Sequence, residues 1–267
     1  MRAIDLFCGA GGASLGLKRA GFTVVRAYAH APRAIRAPEA LLPGVLAHCV
    51  DLNVLDALPE ADFAWASPPC QGVSSAGKRK GPLDERDGYP ALLRLLTRGP
   101  RPTWLAIENV PGLAQHAAGC GKLTLRGCPG CYWRVVVGDL AVLYPWVGVH
   151  EYDCAGFGVP QHRKRLITVC GPRAFSWPWP THGPCASRRY VSAGEALGLL
   201  EERLVGAGTN PHGKGAAHER TERDITAEPA PVVAASPAGN GGPWILSVGG
   251  PNASNGRGPA ESPAESP

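Results

Sequence analysis

The sequence lacks the features of a membrane-bound or secreted protein. It has no apolar run long enough to cross a bilayer, and no secretory signal precedes the first predicted strand at Arg2-Ala3-Ile4. Its nine cysteines are odd in number. Without a secretory signal, we expect them to be reduced thiols in a cytoplasm.

The chain also lacks a strong charge of either sign. Its formal net charge is +5 over 267 residues, which is compatible with nucleic-acid binding and equally with an ordinary, slightly basic enzyme. The length fits one α/β domain, or one such domain with a small appendage. Its 35 glycines and 27 prolines are densest in the C-terminal third, so the apolar core segments lie before it.

A strand, a glycine loop and a helix open the chain. The sequence predicts a strand at Ala3 to Phe7, a loop at Cys8 to Gly12 and a helix at Ala13 to Ala20. This order is typical of nucleotide-binding folds, because glycines let the backbone approach a ligand and the first helical amides donate to it. A dinucleotide fold that binds another ligand is the alternative.

A later apolar segment ends in a loop that presents a cysteine. Asp62 to Trp65 predicts a buried strand, and Pro68 and Pro69 directly precede Cys70. Each of the two prolines fixes its φ angle and lacks a backbone donor, so covalent geometry holds the thiol in place. The thiol follows the carboxyl end of the strand, where open parallel sheets bind ligands. Cys70 is either a nucleophile or an ordinary free cysteine in a Pro-rich turn. This segment alone favours the free cysteine, and the motifs elsewhere in the chain favour the nucleophile.

Two further segments place charged side chains near strand ends. Thr103 to Ile107 predicts a strand that ends in Glu108-Asn109-Val110, and its carboxylate is suited to proton transfer next to Cys70. The segment Gly158 to Arg165 precedes another apolar strand, and its guanidiniums can hold a carbonyl or phosphates bidentately. The alternatives are a solvated turn glutamate and a solvated basic surface.

The other predicted elements complete an α/β pattern. They are strands at Phe22 to Tyr28, Val45 to Val50, Tyr132 to Val137 and Trp146 to Tyr152, and helices at Gly88 to Arg98 and Ala196 to Leu204, the last behind a capping box that starts at Ser192. From Val205 onward Gly, Pro, Ala and Ser dominate, and we expect poor order there, especially after Gly249.

The segment Gln115 to Tyr132 holds four side chains that zinc prefers as ligands. Cys128 and Cys131 form a Cys-x-x-Cys knuckle, and His116 and Cys120 lie upstream. The set can bind a structural zinc tetrahedrally, although the second pair of ligands is incomplete. Unliganded cysteines, or a knuckle completed by His150, are the alternatives.

These motifs, in this order, resemble those of the cytosine-5 DNA methyltransferases. The resemblance runs through roughly Arg2 to Val169 and includes the loop Asp5-Leu6-Phe7-Cys8-Gly9, Pro69-Cys70-Gln71 and Glu108-Asn109-Val110, together with the Gly158-to-Arg165 segment. It implies a Rossmann-like S-adenosylmethionine-dependent methyltransferase fold, α/β with a doubly wound, mostly parallel sheet and a small irregular C-terminal region. It also implies a catalytic domain at 1–170, a partial target-recognition region at 171–248 and a disordered tail at 249–267.

The resemblance further implies a role for each motif residue. Cys70 attacks C6 of a cytosine flipped out of double-stranded DNA, Glu108 hydrogen-bonds N3, and both Arg163 and Arg165 hold the base carbonyl. The residues implied to contact S-adenosylmethionine are Asp5, Phe7, Cys8, Gly9, Gly11, Gly12, Asp51, Leu52 and Pro68. Those implied to contact the nucleic acid are Gln71, Ser74, Lys78, Arg79 and Gln161.

The chain departs from the family pattern in two places. An acidic residue usually follows the second strand, whereas this chain has Ala29-His30, so we expect His30 or a backbone group to replace it, or cofactor affinity to be reduced. A helix motif and a Gly-Asn motif that usually follow the recognition segment are not found. We therefore expect a truncated reading frame or a second polypeptide that supplies them. An RNA cytosine-5 methyltransferase and a non-catalytic nucleic-acid-binding fragment are the competing hypotheses.

Overall fold

The computed structural model describes residues 1–32, 43–69, 87–114, 129–198, 203–209, 220–224, 229 and 246–249. The chain divides into two units. The first contains residues 1–153 and 164–179, and the second contains residues 154–163 and 180–267. The domain boundaries expected at residues 170 and 248 stay a prediction.

A seven-stranded, mostly parallel sheet organises the first unit. Its strands are β1 (Arg2–Leu6), β2 (Thr23–Ala29), β3 (Ala47–Cys49), β4 (Phe63–Ala66), β5 (Trp104–Asn109), β6 (Trp146–Asp153) and β7 (Lys164–Gly171). They lie in the order β3-β2-β1-β4-β5-β7-β6. The first five are parallel neighbours, and β7 runs antiparallel to both β5 and β6. This confirms the predicted α/β fold.

The strand order reverses at β1, which has β2 on one side and β4 on the other. The chain therefore leaves the carboxyl ends of these neighbouring strands in opposite directions, and a crevice opens between them. The glycine loop follows β1, and the Pro68-Pro69 segment follows β4. The glycine loop and the Pro68-Pro69 segment thus lie at the switch point of the sheet.

Side chains of β1 alternate between the two faces of the sheet. Ile4 and Leu6 enter the larger core with α2 (Tyr89–Arg98), whose Leu92 and Leu95 are fully buried. Ala3 packs on the other face with Leu17 of α1 (Gly12–Arg19). The period of two along a strand therefore directs Asp5 toward α1 as well, where it accepts a hydrogen bond from Ser14.

The strand predicted at Tyr132 to Val137 is wrong, because this segment belongs to α3 (Pro129–Leu143). Three consecutive valines at 135–137 favour a strand. The buried side chains, however, are Trp133, Val136 and Leu140, which are spaced by three and four residues as on one face of a helix. At 15 residues α3 is the longest described helix, and none of the described helices combines the length and apolarity that a membrane span requires.

The second unit contains α4 (Ala193–Leu197) and the strands β8 (Arg203–Thr209), β9 (Arg220–Asp224) and β10 (Leu246–Gly249). The Ser192 hydroxyl accepts a hydrogen bond from the Glu195 amide at 3.1 Å, which confirms the predicted N-terminal cap. The helix predicted at Ala196 to Leu204 is wrong in its bounds, because Gly198 adopts a φ of 70° and ends it.

The Gly- and Pro-rich region after Val205 also differs from the expectation of poor order. Three antiparallel strands form a sheet there in the order β10-β8-β9. The tail predicted at 249–267 lies, after Gly249, outside the described residues.

Two positions of α3 test its helical assignment. Leu140 is fully buried and Val142 is 85% exposed. Residues two apart share a face in a strand but lie on different faces of a helix. We expect Leu140→Ala to lower the free energy of unfolding by about 2–5 kcal/mol and Val142→Ala by less than about 0.5 kcal/mol. Denaturant titration of both variants measures this difference, and equal losses would contradict the helix.

Candidate cofactor and catalytic site

A cavity of about 280 Å³ lies at the carboxyl ends of β1, β2 and β3. Its volume is near the lower end of the roughly 300–1,000 Å³ usual for small-molecule sites. Its walls come from the segments that follow these strands and β4, and from the start of α2, and are formed by Phe7, Tyr28, Ala29, His30, Val50, Asp51, Leu52, Asn53, Pro69, Asp87, Gly88 and Ala91. Open α/β sheets bind ligands at this place.

The glycine loop reaches α1 through a left-handed backbone. Phe7 has a φ of 62° and Gly11 a φ of 83°. Among the described residues, Phe7 alone adopts a positive φ without being glycine, a conformation that costs roughly 1–3 kcal/mol. No side-chain hydrogen bond caps α1 at Gly11. The conformation of the loop therefore comes from its backbone, as a site for close backbone approach to a ligand requires.

The Phe7 ring lies close to Gly88 and Pro68, which follow and precede Cys70 in the sequence. A Cβ atom at Gly88 would lie 2.7 Å from Phe7 Cζ and 3.0 Å from Pro68 Cβ. Any larger residue at position 88 would therefore require the Phe7 ring to move. Pro68 itself is buried, and Pro69 lines the cavity.

Asp5 is a buried carboxyl with one oxygen satisfied. Its Oδ2 accepts a hydrogen bond from the Ser14 hydroxyl at 2.6 Å, whereas Oδ1 is buried without a hydrogen-bond partner. Burial raises the pKa of Asp5 from 3.8 to about 6, and the hydrogen bonds from Ser14 offset part of this rise.

Cys8 is a buried packing group. Its amide donates to the Tyr28 carbonyl at 2.8 Å, which joins the start of the glycine loop to β2. Burial, with a smaller contribution from the charge of Asp5, raises the pKa of the Cys8 thiol to about 12. The thiol stays protonated at neutral pH and is therefore a poor nucleophile.

Asp51 closes a turn and lines the cavity at the same time. Its Oδ1 accepts hydrogen bonds from the amide of Asn53 at 2.9 Å and from the side-chain Nδ2 of Asn53 at 3.0 Å. An aspartate side chain that accepts from the amide two residues later stabilises a turn of this kind. Because Asp51 and Leu52 both line the cavity, the turn and a role in ligand binding are compatible.

Asn109 connects the end of β5 to the backbone that leads into Cys70. Its Nδ2 donates to the Pro68 carbonyl at 3.2 Å and to the Tyr89 hydroxyl at 2.9 Å, while its Oδ1 accepts from the Val110 amide at 2.8 Å. Asn109 and Tyr89 are both buried, and burial raises the pKa of Tyr89 well above its usual value. The neutral phenol is thus a permanent partner of Asn109.

Asp87 extends this network to α3. Its Oδ1 accepts from the Tyr89 amide at 3.0 Å, and its Oδ2 accepts from the Tyr132 hydroxyl. Burial, together with the hydrogen bond to Asp87, raises the pKa of Tyr132. The rings of Tyr89 and Tyr132 meet edge to face with centroids 6.1 Å apart. The network therefore holds α2, α3 and the end of β5 together.

Glu108 forms an ion pair with Arg165. The Glu108 Oε1 lies 2.6 Å from Arg165 Nε, but the N–H is not aligned with this oxygen, so the attraction is Coulombic. Arg165 Nη1 donates to the Lys164 carbonyl at 2.7 Å. The two side chains are 24% and 15% exposed, so solvent screens this pair less than an exposed one.

Most of the remaining predicted site residues lie in the second unit or outside the described residues. Gln161 and Arg163 belong to the second unit, where the Arg163 carbonyl accepts from the Cys154 amide at 3.0 Å. The residues Cys70, Gln71, Ser74, Lys78, Arg79, His116, Cys120 and Cys128 lie outside the described residues. The backbone of Cys131 lies in the first turn of α3. In the part of the chain that the structure describes, no three His, Cys, Asp or Glu side chains are grouped to hold a metal ion.

Several residues of the cavity wall were not predicted. Tyr28, Asn53, Asp87, Gly88 and Ala91 all line it. Asp87-Gly88 directly before a helix is an N-terminal capping pattern, which could have indicated an ordered start of α2. For Ala91, no sequence pattern distinguishes a cavity wall from the core.

Comparison with known proteins decides the family. The family model for C-5 cytosine-specific DNA methylase matches residues 1–182. The chain belongs to this family.

Individual relatives agree with the family. The methylase chain is 31% identical to the type II methyltransferase M.AplI of Arthrospira platensis, over 66% of this chain and 47% of that one. It is 30% identical to the type II methyltransferase M.AquIA of Picosynechococcus, over 71% of this chain and 80% of the relative. Its fold is similar to that of a DNA modification methyltransferase encoded within a prophage of E. coli, with a TM-score of 0.56, 24% identity, and coverage of 74% of this chain and 54% of that one.

The methylase chain spans about half the length of most proteins that it matches. Family membership implies S-adenosylmethionine as the methyl donor.

The raised pKa of Asp5 predicts how the stability of the methylase depends on pH. The folded state holds this proton more tightly than the unfolded state does, so the contribution to stability is greatest below about pH 4 and is lost as pH rises through about 6. Asp5→Asn cannot ionise. We expect its free energy of unfolding, relative to the wild type, to increase by up to about 3 kcal/mol between pH 4 and pH 7.

Urea denaturation at several pH values measures this difference. Asp56→Asn removes an exposed carboxylate and is the matched control, whose difference from the wild type should not grow over this range. A constant difference between Asp5→Asn and the wild type at all pH values would contradict the raised pKa.

Proposed function

We propose that this chain supplies the cofactor-binding and catalytic part of a DNA (cytosine-5-)-methyltransferase. The observation that carries the proposal is the hydrogen bond from Asn109 to the Pro68 carbonyl. It ties β5, the strand that bears Glu108, to the Pro68-Pro69 segment that precedes Cys70 in the sequence, which supports cooperation of the two motifs. Membership of the methylase family supports the same activity.

The cavity beside the glycine loop fits S-adenosylmethionine in its chemistry. Phe7 and Leu52 offer apolar surface for a purine ring, and Asp51, Asn53 and His30 offer polar groups for the ribose and amine. The proposed cofactor contacts of the glycine loop, from Asp5 through Gly12, rest on its left-handed backbone. When bound, the cofactor supplies a methyl group activated by its sulfonium.

Cys70 is the proposed nucleophile. Cytosine C5 is a poor nucleophile, but a thiolate that adds to C6 places an electron pair on the ring, so that C5 can attack the methyl group. Loss of the C5 proton to a base then re-forms the double bond and expels the Cys70 thiolate. Cys8 and Cys170 are excluded from this role, because burial raises the pKa of each thiol to about 12.

Glu108 is proposed to hydrogen-bond N3 and the exocyclic amine of cytosine, which favours ring protonation as Cys70 adds. The ion pair with Arg165 keeps a cation beside the Glu108 carboxylate. We assign the base carbonyl to Arg163 and Arg165, as the motif implies. The target atom is unreachable inside a duplex, so the base must be flipped out, with Gln71, Ser74, Lys78, Arg79 and Gln161 as the proposed DNA contacts.

Two further proposals concern the source of the missing elements and a structural metal ion. The relatives in Arthrospira and Bacillus extend well beyond the match, and we propose that a second polypeptide or further sequence of this protein supplies the corresponding elements. A structural zinc at His116, Cys120, Cys128 and Cys131 rests on the Cys-x-x-Cys spacing alone. Metal analysis of the purified protein tests it.

Methyl transfer and covalent trapping test the proposed function. We expect labelled methyl groups from S-adenosylmethionine to enter duplex DNA. We also expect 5-fluorocytosine DNA to form a covalent adduct, because fluorine takes the place of the C5 proton and cannot be removed by a base. Cys70→Ser should abolish the adduct. Cys49→Ser is the matched control, since this exposed thiol lies on β3 and donates to the His30 carbonyl, a bond that serine keeps.

Three outcomes would overturn parts of the proposal. Trapping that persists in Cys70→Ser would remove Cys70 as the nucleophile. Transfer to structured RNA in preference to duplex DNA would favour an RNA cytosine-5 methyltransferase. Absence of cofactor binding and transfer, with and without the product of a neighbouring reading frame, would favour a non-catalytic nucleic-acid-binding protein.

His30 offers a separate test of the cofactor site. It lines the cavity directly after β2, where an acidic residue accepts hydrogen bonds from the ribose hydroxyls in folds of this type. We expect His30→Asp to tighten S-adenosylmethionine binding several-fold in calorimetry, because a carboxylate accepts two hydroxyl hydrogen bonds. His150→Asp, an exposed substitution on β6, should leave affinity unchanged. Weaker binding by His30→Asp would show that the imidazole itself makes a favourable contact.

A further inference from the structure

Arg94 of α2 holds the loop that follows β3. Its Nη2 donates to the carbonyls of Leu52 at 2.7 Å, Leu55 at 2.8 Å and Asn53 at 3.1 Å. Three carbonyl oxygens that converge on one nitrogen repel one another, so this loop conformation depends on the cation between them. Hydrogen bonds to a charged donor are stronger than those between neutral groups.

The loop and the helix that Arg94 joins are two walls of the cavity. Asp51, Leu52 and Asn53 line one wall, and Ala91, one helical turn before Arg94, lines another. Arg94 itself does not line the cavity, and it acts through the loop. The separation of the two walls is therefore set by the reach of one guanidinium.

The two elements that Arg94 joins, the loop after β3 and the helix α2, differ in how firmly the rest of the fold holds them. The helix is anchored by Leu92, Leu95 and Leu96, which are almost fully buried. The loop forms a local turn between Asp51 and Asn53 and is otherwise irregular, with Leu52 and Leu58 as its buried side chains. The helix α2 is the rigid partner, and its position determines the position of the loop.

We infer that Arg94 is a positioning residue for S-adenosylmethionine, which holds residues 51–55 at the distance from α2 that the bound cofactor requires. The inference rests on the proposed function, because it takes S-adenosylmethionine as the occupant of the cavity. It assigns to Arg94 a role in binding and none in the chemical step.

Substitutions at Arg94 separate this role from general stability. Arg94→Met keeps a long apolar side chain but removes all the donors, and we expect the Kd and KM for S-adenosylmethionine to rise about tenfold or more. The kcat at saturating cofactor and the KM for DNA should change less than about twofold. Arg94→Lys retains a cation with three donors and should recover part of the affinity. Arg98→Met, an exposed substitution one turn later on α2, should match the wild type.

Amide hydrogen exchange of the cofactor-free protein gives a second readout. We expect faster exchange in residues 51–58 of Arg94→Met and unchanged exchange in residues 92–96. Equal affinity of Arg94→Met and wild type would overturn the inference alone, as would exchange that accelerates in α2 as much as in the loop. A wild type that binds no S-adenosylmethionine would overturn the proposed function and, with it, this inference.

Discussion

The arrangement of the site depends on the buried side chain of Asn109. A buried amide must satisfy both its donor and its acceptor, and Asn109 does so with the Pro68 carbonyl, the Tyr89 hydroxyl and the Val110 amide. These partners come from the segment after β4, from α2 and from the end of β5 itself. Because the bonds to Pro68 and Tyr89 are buried, a shift of either partner leaves a polar group unpaired. The amide therefore fixes how the segment after β4, the start of α2 and the end of β5 meet.

The strands of the first unit could be predicted from short apolar runs such as Ala3 to Phe7. Runs of this kind favour burial in a sheet, and a loop with glycine or proline follows them. The helix α3 could not, since its valine run favours a strand and only burial of Trp133, Val136 and Leu140 decides for a helix. The strands after residue 203 were missed, because their Gly- and Pro-rich surroundings resemble disordered sequence.

The residues proposed for the chemical step could be predicted from the sequence more readily than the residues that form and hold the cavity walls. Motif residues such as Glu108 carry their own chemical character, and the family resemblance placed them in order along the chain. Arg94 carries no such pattern, because its partners are main-chain carbonyls about 40 residues away, and any residue can supply a carbonyl. Tyr89 and Asp87 were missed for the same reason, since their roles arise only when α2 and α3 pack together.

The contact between Phe7 and Gly88 has a consequence for how this site can vary among homologues. The aromatic ring occupies the volume that any larger residue at position 88 would need. A side chain at 88 therefore requires the ring at position 7 to move or to be replaced by a smaller side chain, and a small residue at 7 would remove the aromatic wall of the cavity. The two positions should co-vary as a pair although 81 positions separate them, and a change at only one of them should be rare in active relatives.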